Sequence, residues 1–251
     1  MNLKQKNVYL AILNQGVIDK ELAKIINVVI QEDAYRIHLS YPTGKPISNN
    51  RNTIVQKFLA TDCDYLMMID SDIIPPPNIL KLVDFDKDII TPLMFVYQKG
   101  ELLPLFLKRH QDGFYDPDDY LEKTGLVEID ATGTGCIVIK REVLEKIKYP
   151  FRNEYDVDGV KVLGLDFNFC KRAKELGYKS WVHLDYVAGH HTTYDLKDLF
   201  YLIINKNNIE KELKIFREYL TNENPKILEK IINRVIEGRK EDKEKDKEKD
   251  K

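Results

Sequence analysis

The sequence predicts an α/β fold, a sheet flanked by helices with a helical extension at its carboxyl end. Three observations predict it. Between Val8 and Leu93 short apolar runs alternate with helix-spaced patterns, the sequence sign of an α/β sheet. The run Tyr65-Leu66-Met67-Met68-Ile69 is apolar throughout, as expected of a strand buried on both faces. From about Leu196 the pattern becomes purely helical and amphipathic.

The elements follow in order. Val8 to Leu13 is the first strand, ending in the polar Asn14-Gln15-Gly16. Leu22, Ile25, Ile26 and Val29 are spaced for a helix over 19–31, and 34–39 reads as a second strand. After a loop at Tyr41 to Pro46, Ser48 is the expected N-cap of a helix running to Ala60. The apolar strand then ends in Asp70-Ser71-Asp72, with Pro75-Pro76-Pro77 close behind. A helix is expected near 78–84 and a strand at 88–93. Strands are expected near 94–97 and 104–108, with an acidic turn between Asp112 and Asp119. Gly133-Thr134-Gly135 enters a strand through Ile139, and Arg141 to Lys148 is a short helix. Asp166 to Leu176 is a longer helix that Gly177 stops. The last strand region, Ser180 to Ala188, ends at Gly189-His190-His191.

Three segments are expected: a catalytic domain over 1–195, amphipathic helices over 196–237 and a charged tail over 238–251. The tail is too polar to fold alone. At 251 residues the chain can bury one substantial core, or one core with a small appendage. Charged residues make up 32% but nearly cancel, at a net charge of −2, which argues against nucleic-acid binding through bulk electrostatics. Cys63, Cys136 and Cys170 form neither a zinc pattern nor a disulfide framework, so a reducing, cytoplasmic setting is expected. No run approaches the roughly 20 apolar residues a membrane span needs. Leu196, Leu199, Phe200, Ile203 and Ile204 share one helix face, as do Leu228, Ile231, Ile232 and Val235 in the next. These faces are candidates for packing on the catalytic domain, or for an oligomer or peripheral membrane contact.

The chemistry is concentrated at the carboxyl ends of the strands, where open α/β sheets bind ligands. Asp70 and Asp72 are two carboxylates two positions apart at such an end. They can share a divalent cation, which can in turn hold a diphosphate. Otherwise Asp72 would merely cap the next helix and Asp70 would be a solvated strand end. Either way both read as solvent-edge groups, replaceable without loss of the fold. A calcium loop is excluded, because it needs Gly where Pro75 stands and Glu where Lys81 stands. Gly133-x-Gly135 lacks the third glycine of a dinucleotide fingerprint and precedes a strand; Gly44-Lys45 lacks the earlier glycine of a P-loop. The glycine pair either lets backbone pass close to a substrate or makes a turn. His190 or His191 would complete an oxygen/nitrogen shell suited to Mn²⁺. Asp166, at a helix start, is favoured there by the helix dipole and is also placed to act as a base.

Together these residues resemble a glycosyltransferase of the GT-A fold, in the family-2-like group, across about residues 7–195. Four features carry the resemblance: Ser48-Asn49-Asn50-Arg51-Asn52; Asp70-Ser71-Asp72 as the DxD motif with its prolines; Gly133-Thr134-Gly135-Cys136 with Lys140-Arg141; and Gly164-Leu165-Asp166 through Arg172 to Gly177-Tyr178. The last follows the family's Glu-Asp helix, except that Leu165 stands where the family has Glu.

The resemblance implies a nucleotide-diphospho-sugar transferase fold with a Rossmann-like mixed sheet. It implies a UDP- or GDP-linked donor contacted by Asn14, Gln15, Arg51, Asn52, Asp70, Ser71 and Asp72. It implies Mn²⁺ or Mg²⁺ held by Asp70, Asp72 and His190, with Gly133, Thr134 and Gly135 on the acceptor side. Asp166 would deprotonate a glycan, lipid or other hydroxyl acceptor and so invert the anomeric centre. Two alternatives stand beside it. A sugar-nucleotide pyrophosphorylase would open with a glycine-rich loop carrying Arg and Lys, unlike Asn14-Gln15-Gly16. A degenerate glycosyltransferase acting as a binding or scaffold subunit would account for Leu165.

Overall fold

In β1 (Lys6–Leu13) every residue from Val8 onward is buried, as a strand between two helical layers requires. Val8, Leu10 and Ile12 enter one core cluster, while Tyr9, Ala11 and Leu13 enter another. The computed structural model describes residues 5–44, 46–98, 101–108 and 123–192. Nearly all of these fall in one compact unit, Met1–Gln98 with Leu102–Thr192. The acidic turn, the two amphipathic helices and the charged tail expected from the sequence lie outside the described residues.

After β1 come α1 (Lys20–Val29), β2 (Tyr35–Ser40), α2 (Ile47–Leu59), β3 (Tyr65–Asp70) and β4 (Ile73–Ile74). A 3-10 helix at Ile79–Phe85 precedes β5 (Ile89–Leu93), β6 (Phe95–Gln98), β7 (Glu101–Pro104) and β8 (Phe106–Leu107). Then follow β9 (Leu126–Ile129), β10 (Ala131–Thr132), β11 (Cys136–Lys140), α3 (Arg141–Lys146), β12 (Glu154–Tyr155) and β13 (Lys161–Leu163). The described chain closes with α4 (Leu165–Glu175), β14 (Ser180–Val187) and β15 (Gly189–His190).

Seven strands form the main sheet, in the order β2-β1-β3-β11-β5-β14-β9. β1 is parallel to both β2 and β3, and β14 is parallel to β5. β11 runs antiparallel between β3 and β5, and β9 antiparallel on β14. The fold is therefore a mixed α/β sheet flanked by helices, the class that the sequence predicts.

β3 lies inside this sheet, between β1 and β11. Tyr65, Met67 and Ile69 pack with Leu22 and Ile26 of α1 and with the 3-10 helix, while Leu66 and Met68 pack with Phe58 of α2, Val143 of α3 and Phe169 of α4. Met67 and Met68 have no exposed surface, and truncating such a residue to Ala costs about 2–5 kcal/mol. This explains why the run has no polar position until Asp70.

Several local expectations change. Ser48 is not the N-cap of α2: the helix starts at Ile47, Pro46 is the capping residue, and no side chain caps it. Proline presets the φ of −68° found there. The 78–84 segment winds as a 3-10 helix, ending at Asp86 in the left-handed region. α3 stops at Lys146, two residues early. The sequence pattern marks neither β9 nor the β12–β13 pair. β9 alternates weakly, and the other strands are two and three residues long. α4 ends as expected, with Gly177 at a φ of +89° that favours glycine.

Candidate active site

Strand direction assembles the site. Because β11 runs against β3, its first residue, Cys136, sits opposite Ile69 at the end of β3. The loop Gly133-Thr134-Gly135 therefore lies beside Asp70, whose N–H donates to the Gly135 carbonyl at 2.7 Å. A Cβ at Gly135 would lie 3.1 Å from Ile73 and 3.7 Å from an Asp70 carboxylate oxygen. At Gly133 it would strike Leu105 at 2.3 Å. Both glycines allow close approach, here to the protein's own side chains.

Asp166 enters from the first turn of α4. The Thr134 hydroxyl donates to its Oδ1 at 2.6 Å. Thr134 is fully buried, so this bond fixes one face of the carboxylate. Among the described residues Asp166 Oδ2 accepts no hydrogen bond.

Arg51 connects the two acids. α2 carries it inward until only 4% of it is exposed. Its Nη2 donates to Asp70 at 2.8 and 3.1 Å and to the Thr134 carbonyl at 3.3 Å. Nη1 lies 3.9 Å from Asp166 Oδ1. Its Nε is buried without a partner among the described residues. Asp70 is thus no free solvent-edge carboxylate, as its place in the sequence suggested, but the counter-ion of a buried guanidinium.

Burial pushes the Asp70 carboxyl up from 3.8 to about 6, outweighing the opposing pull of Arg51; the Asp72 and Asp166 carboxylates add to the rise. A native carboxyl that holds its proton more tightly than the unfolded chain does loses folded-state stability as pH rises. The loss begins near pH 4 and is complete above about pH 6, on the order of 3 kcal/mol in all. The urea unfolding free energy of wild type minus that of Asp70→Asn should therefore fall by about that amount between roughly pH 4 and 7. A difference that stays flat would remove the assignment.

Asp72 and His190 face each other on the neighbouring turn. β15 pairs antiparallel with β4, setting His190 opposite Ile73. The His190 Nε2 lies 3.7 Å from Asp72 Oδ2. Its Nδ1 is 3.1 Å from the Phe95 carbonyl. A carbonyl only accepts, so Nδ1 carries the proton, and Nε2 is the ring nitrogen turned toward Asp72. A hydrogen bond of this kind orients ligating histidines. His191 is engaged elsewhere, its Nδ1 2.9 Å from Asp19 Oδ2. That bond holds the Asp19 carboxyl below its ordinary value.

Among the described residues no group of three His, Cys, Asp or Glu is gathered closely enough to hold a metal. The donor set nonetheless fits one. Asp72 and His190 offer an oxygen and a nitrogen, the mixture suited to Mn²⁺. An ionised carboxylate has about four lone-pair sites, and Arg51 Nη2 engages each Asp70 oxygen only once. The thiols offer no alternative chemistry. All three are buried; burial pushes Cys136 up beyond any thiolate range and Cys170 up to about 11.

The remaining candidates divide. Gln15 and Ser71 lie at the same sheet edge, Gln15 exposed and Ser71 half-buried. Asn14 is buried: its amide donates to Ile12 and its carbonyl oxygen accepts from Gly16. Asn52 is not brought to the acids, for its amide exchanges two hydrogen bonds with the Phe151 backbone. Leu165 packs against the core cluster on the α2–α4 face. Asn168 and Arg172 of α4 hold the backbone carbonyls of Arg152, Tyr149 and Lys148. Those two side chains therefore secure the loop before β12.

Asp19 and the Phe95 carbonyl belong to this site and were missed from sequence. Asp19 shows only as a helix-capping residue, and a backbone carbonyl has no sequence signal.

No family model matches the chain, and no curated protein matches it in sequence. Solved structures do. GalNAc-T7, crystallised with UDP, GalNAc and Mn²⁺, matches with a TM-score of 0.52 at 13% identity, over 80% of this chain and 48% of that one. The chain thus spans about half of GalNAc-T7. A197 from STIV matches with a TM-score of 0.47 at 19% identity, over 75% of this chain and 86% of that one. The inositol-1-phosphate CTP transferase from T. maritima matches with a TM-score of 0.44 at 11% identity, over 80% and 97%. At these identities the likeness is one of fold, and the GalNAc-T7 match carries it.

Proposed function

We propose that this protein is a transferase acting on a nucleotide-linked substrate, specifically a divalent-metal-dependent glycosyltransferase. The reaction moves a sugar from a nucleoside-diphosphate donor, UDP- or GDP-linked, to an acceptor hydroxyl. One observation carries the reading: Arg51 touches Asp70 and approaches Asp166, so the acids suited to donor and acceptor chemistry share one site. The fold likeness to a protein crystallised with UDP, GalNAc and Mn²⁺ supports it.

In this reading Asp70, Asp72 and His190 Nε2 hold Mn²⁺ or Mg²⁺, and Gln15 and Ser71 flank the donor. The chemistry such a cation supplies is neutralisation of charge on the departing diphosphate. Asp166 accepts the acceptor's proton at Oδ2 while Thr134 holds Oδ1. The acceptor oxygen bonds to the anomeric carbon as the carbon–phosphate-oxygen bond breaks, and the electron pair leaves with the diphosphate. Attack from the face opposite the leaving group inverts the centre.

The test is a panel of nucleotide sugars assayed by thermal shift and donor hydrolysis, with and without Mn²⁺. Binding raises the melting temperature by mass action. One Mn²⁺-dependent donor that releases nucleoside diphosphate is expected. Consumption of added pyrophosphate, with formation of nucleoside triphosphate and sugar phosphate, would identify a pyrophosphorylase, and binding without turnover a scaffold.

The two histidines separate in the same assay. His190→Ala should weaken Mn²⁺ binding more than His191→Ala, because only His190 turns a ring nitrogen toward Asp72. The opposite ranking would move the ligand to His191.

A further inference from the structure

Three bonds join segments far apart in the chain around the Ser71–Asp72 peptide. The Asp19 N–H donates to the Ser71 carbonyl at 3.3 Å, and the His191 N–H donates to the Asp72 carbonyl at 2.8 Å. The side chains of Asp19 and His191 then meet at 2.9 Å. An ionised carboxylate only accepts, so His191 Nδ1 donates to Asp19 Oδ2 and closes the ring. The other Asp19 oxygen accepts from the Glu21 N–H at 2.7 Å, anchoring the ring to the start of α1. That helix is fixed in turn by Leu22, Ile26 and Val29 in the core.

The geometry points to Asp19 and His191 as positioning residues, a clasp that fixes the backbone of the Ser71–Asp72 turn and so sets Asp72 against His190. This rests on the reading of Asp72 and His190 as ligands of a divalent cation. Asp72 needs such support: its side chain is 54% exposed, on a turn followed by a strand of only two residues. Without the clasp the carboxylate would be ordered only when the cation binds, and that ordering would be charged against affinity. His191 is adjacent to His190, so the clasp also fixes the backbone carrying the histidine. Neither clasp residue needs to touch the cation.

The test uses MnCl₂ alone on the full chain, with two readouts. Asp19→Ser keeps a helix-capping oxygen but is too short to reach His191. His191→Ala removes the ring, while His191→Asn keeps an N–H donor near the position of Nδ1. Asp19→Ser and His191→Ala should each lower Mn²⁺ affinity, measured by electron paramagnetic resonance titration, by about 10-fold or more, within the 10–100-fold of outer-shell changes. The double variant should be no worse than either single one, because one ring is opened once. His191→Asn should restore most of the affinity. In the metal-free protein the amide of residue 191 should exchange with deuterium faster in Asp19→Ser and His191→Ala than in wild type or His191→Asn.

Unchanged exchange in both clasp variants would overturn the proposal. So would faster exchange with unchanged Mn²⁺ affinity, in a protein whose Asp72→Asn variant has lost that affinity. A wild type that binds no Mn²⁺ would refute the metal reading instead, and the exchange readout would still decide whether the clasp holds the turn.

Discussion

Asp166→Asn is expected to lower turnover by about 10²–10⁴-fold, the usual contribution of a general base. Asparagine keeps the oxygen that accepts from Thr134, so the local bond at 2.6 Å can persist. It cannot take a proton at neutral pH. Donor and Mn²⁺ binding should change little, because Asp70 and Asp72 stand on β3 and its turn whereas Asp166 stands on α4. Arg51 keeps its closer partner, Asp70, so the fold should hold as well. Single-turnover kinetics with donor affinity measured alongside separate the outcomes. Loss of donor binding would place Asp166 in the donor shell. Near-normal turnover would remove the base and leave a retaining mechanism as the alternative.

Arg51→Met should destabilise the protein by about 3–5 kcal/mol, the cost of breaking a buried ion pair from one side. Arg51 is buried and its Nη2 serves three acceptors, so methionine fills the space but leaves Asp70 and the Thr134 carbonyl unpartnered. For a folded unit of this size the melting temperature should fall by on the order of 10 °C. Adding Asp70→Asn to Arg51→Met should recover part of the loss, because the stranded carboxylate is then gone. A single variant that melts with wild type would show that the pair carries no stability. This expectation also limits what Asp70→Asn can report: lost activity there combines a lost cation ligand with a buried arginine deprived of its partner.

Much of the framework is written locally. The two-face burial of β3 follows from five successive apolar residues, and the halt of α4 follows from Gly177. The arrival of Asp70 at the carboxyl edge of the sheet follows from where the apolar run ends. Such features depend on neighbours a few positions away, so periodicity and turn chemistry record them.

The sequence by itself determined that β3 is buried on both faces, where α4 stops, and which acids reach the sheet edge. Only the tertiary structure decided how those acids are used. It reversed β11, which brought Thr134 to Asp166 and Gly135 to Asp70. It turned Arg51 inward and sent the adjacent Asn52 to Phe151, a divergence that no local pattern marks. It joined Asp19 to His191 across 172 positions. The physical reason is common to all of these. A polar side chain leaving solvent must find a hydrogen-bond partner, and the partner's identity depends on strand order and direction, which a single chain of letters does not display.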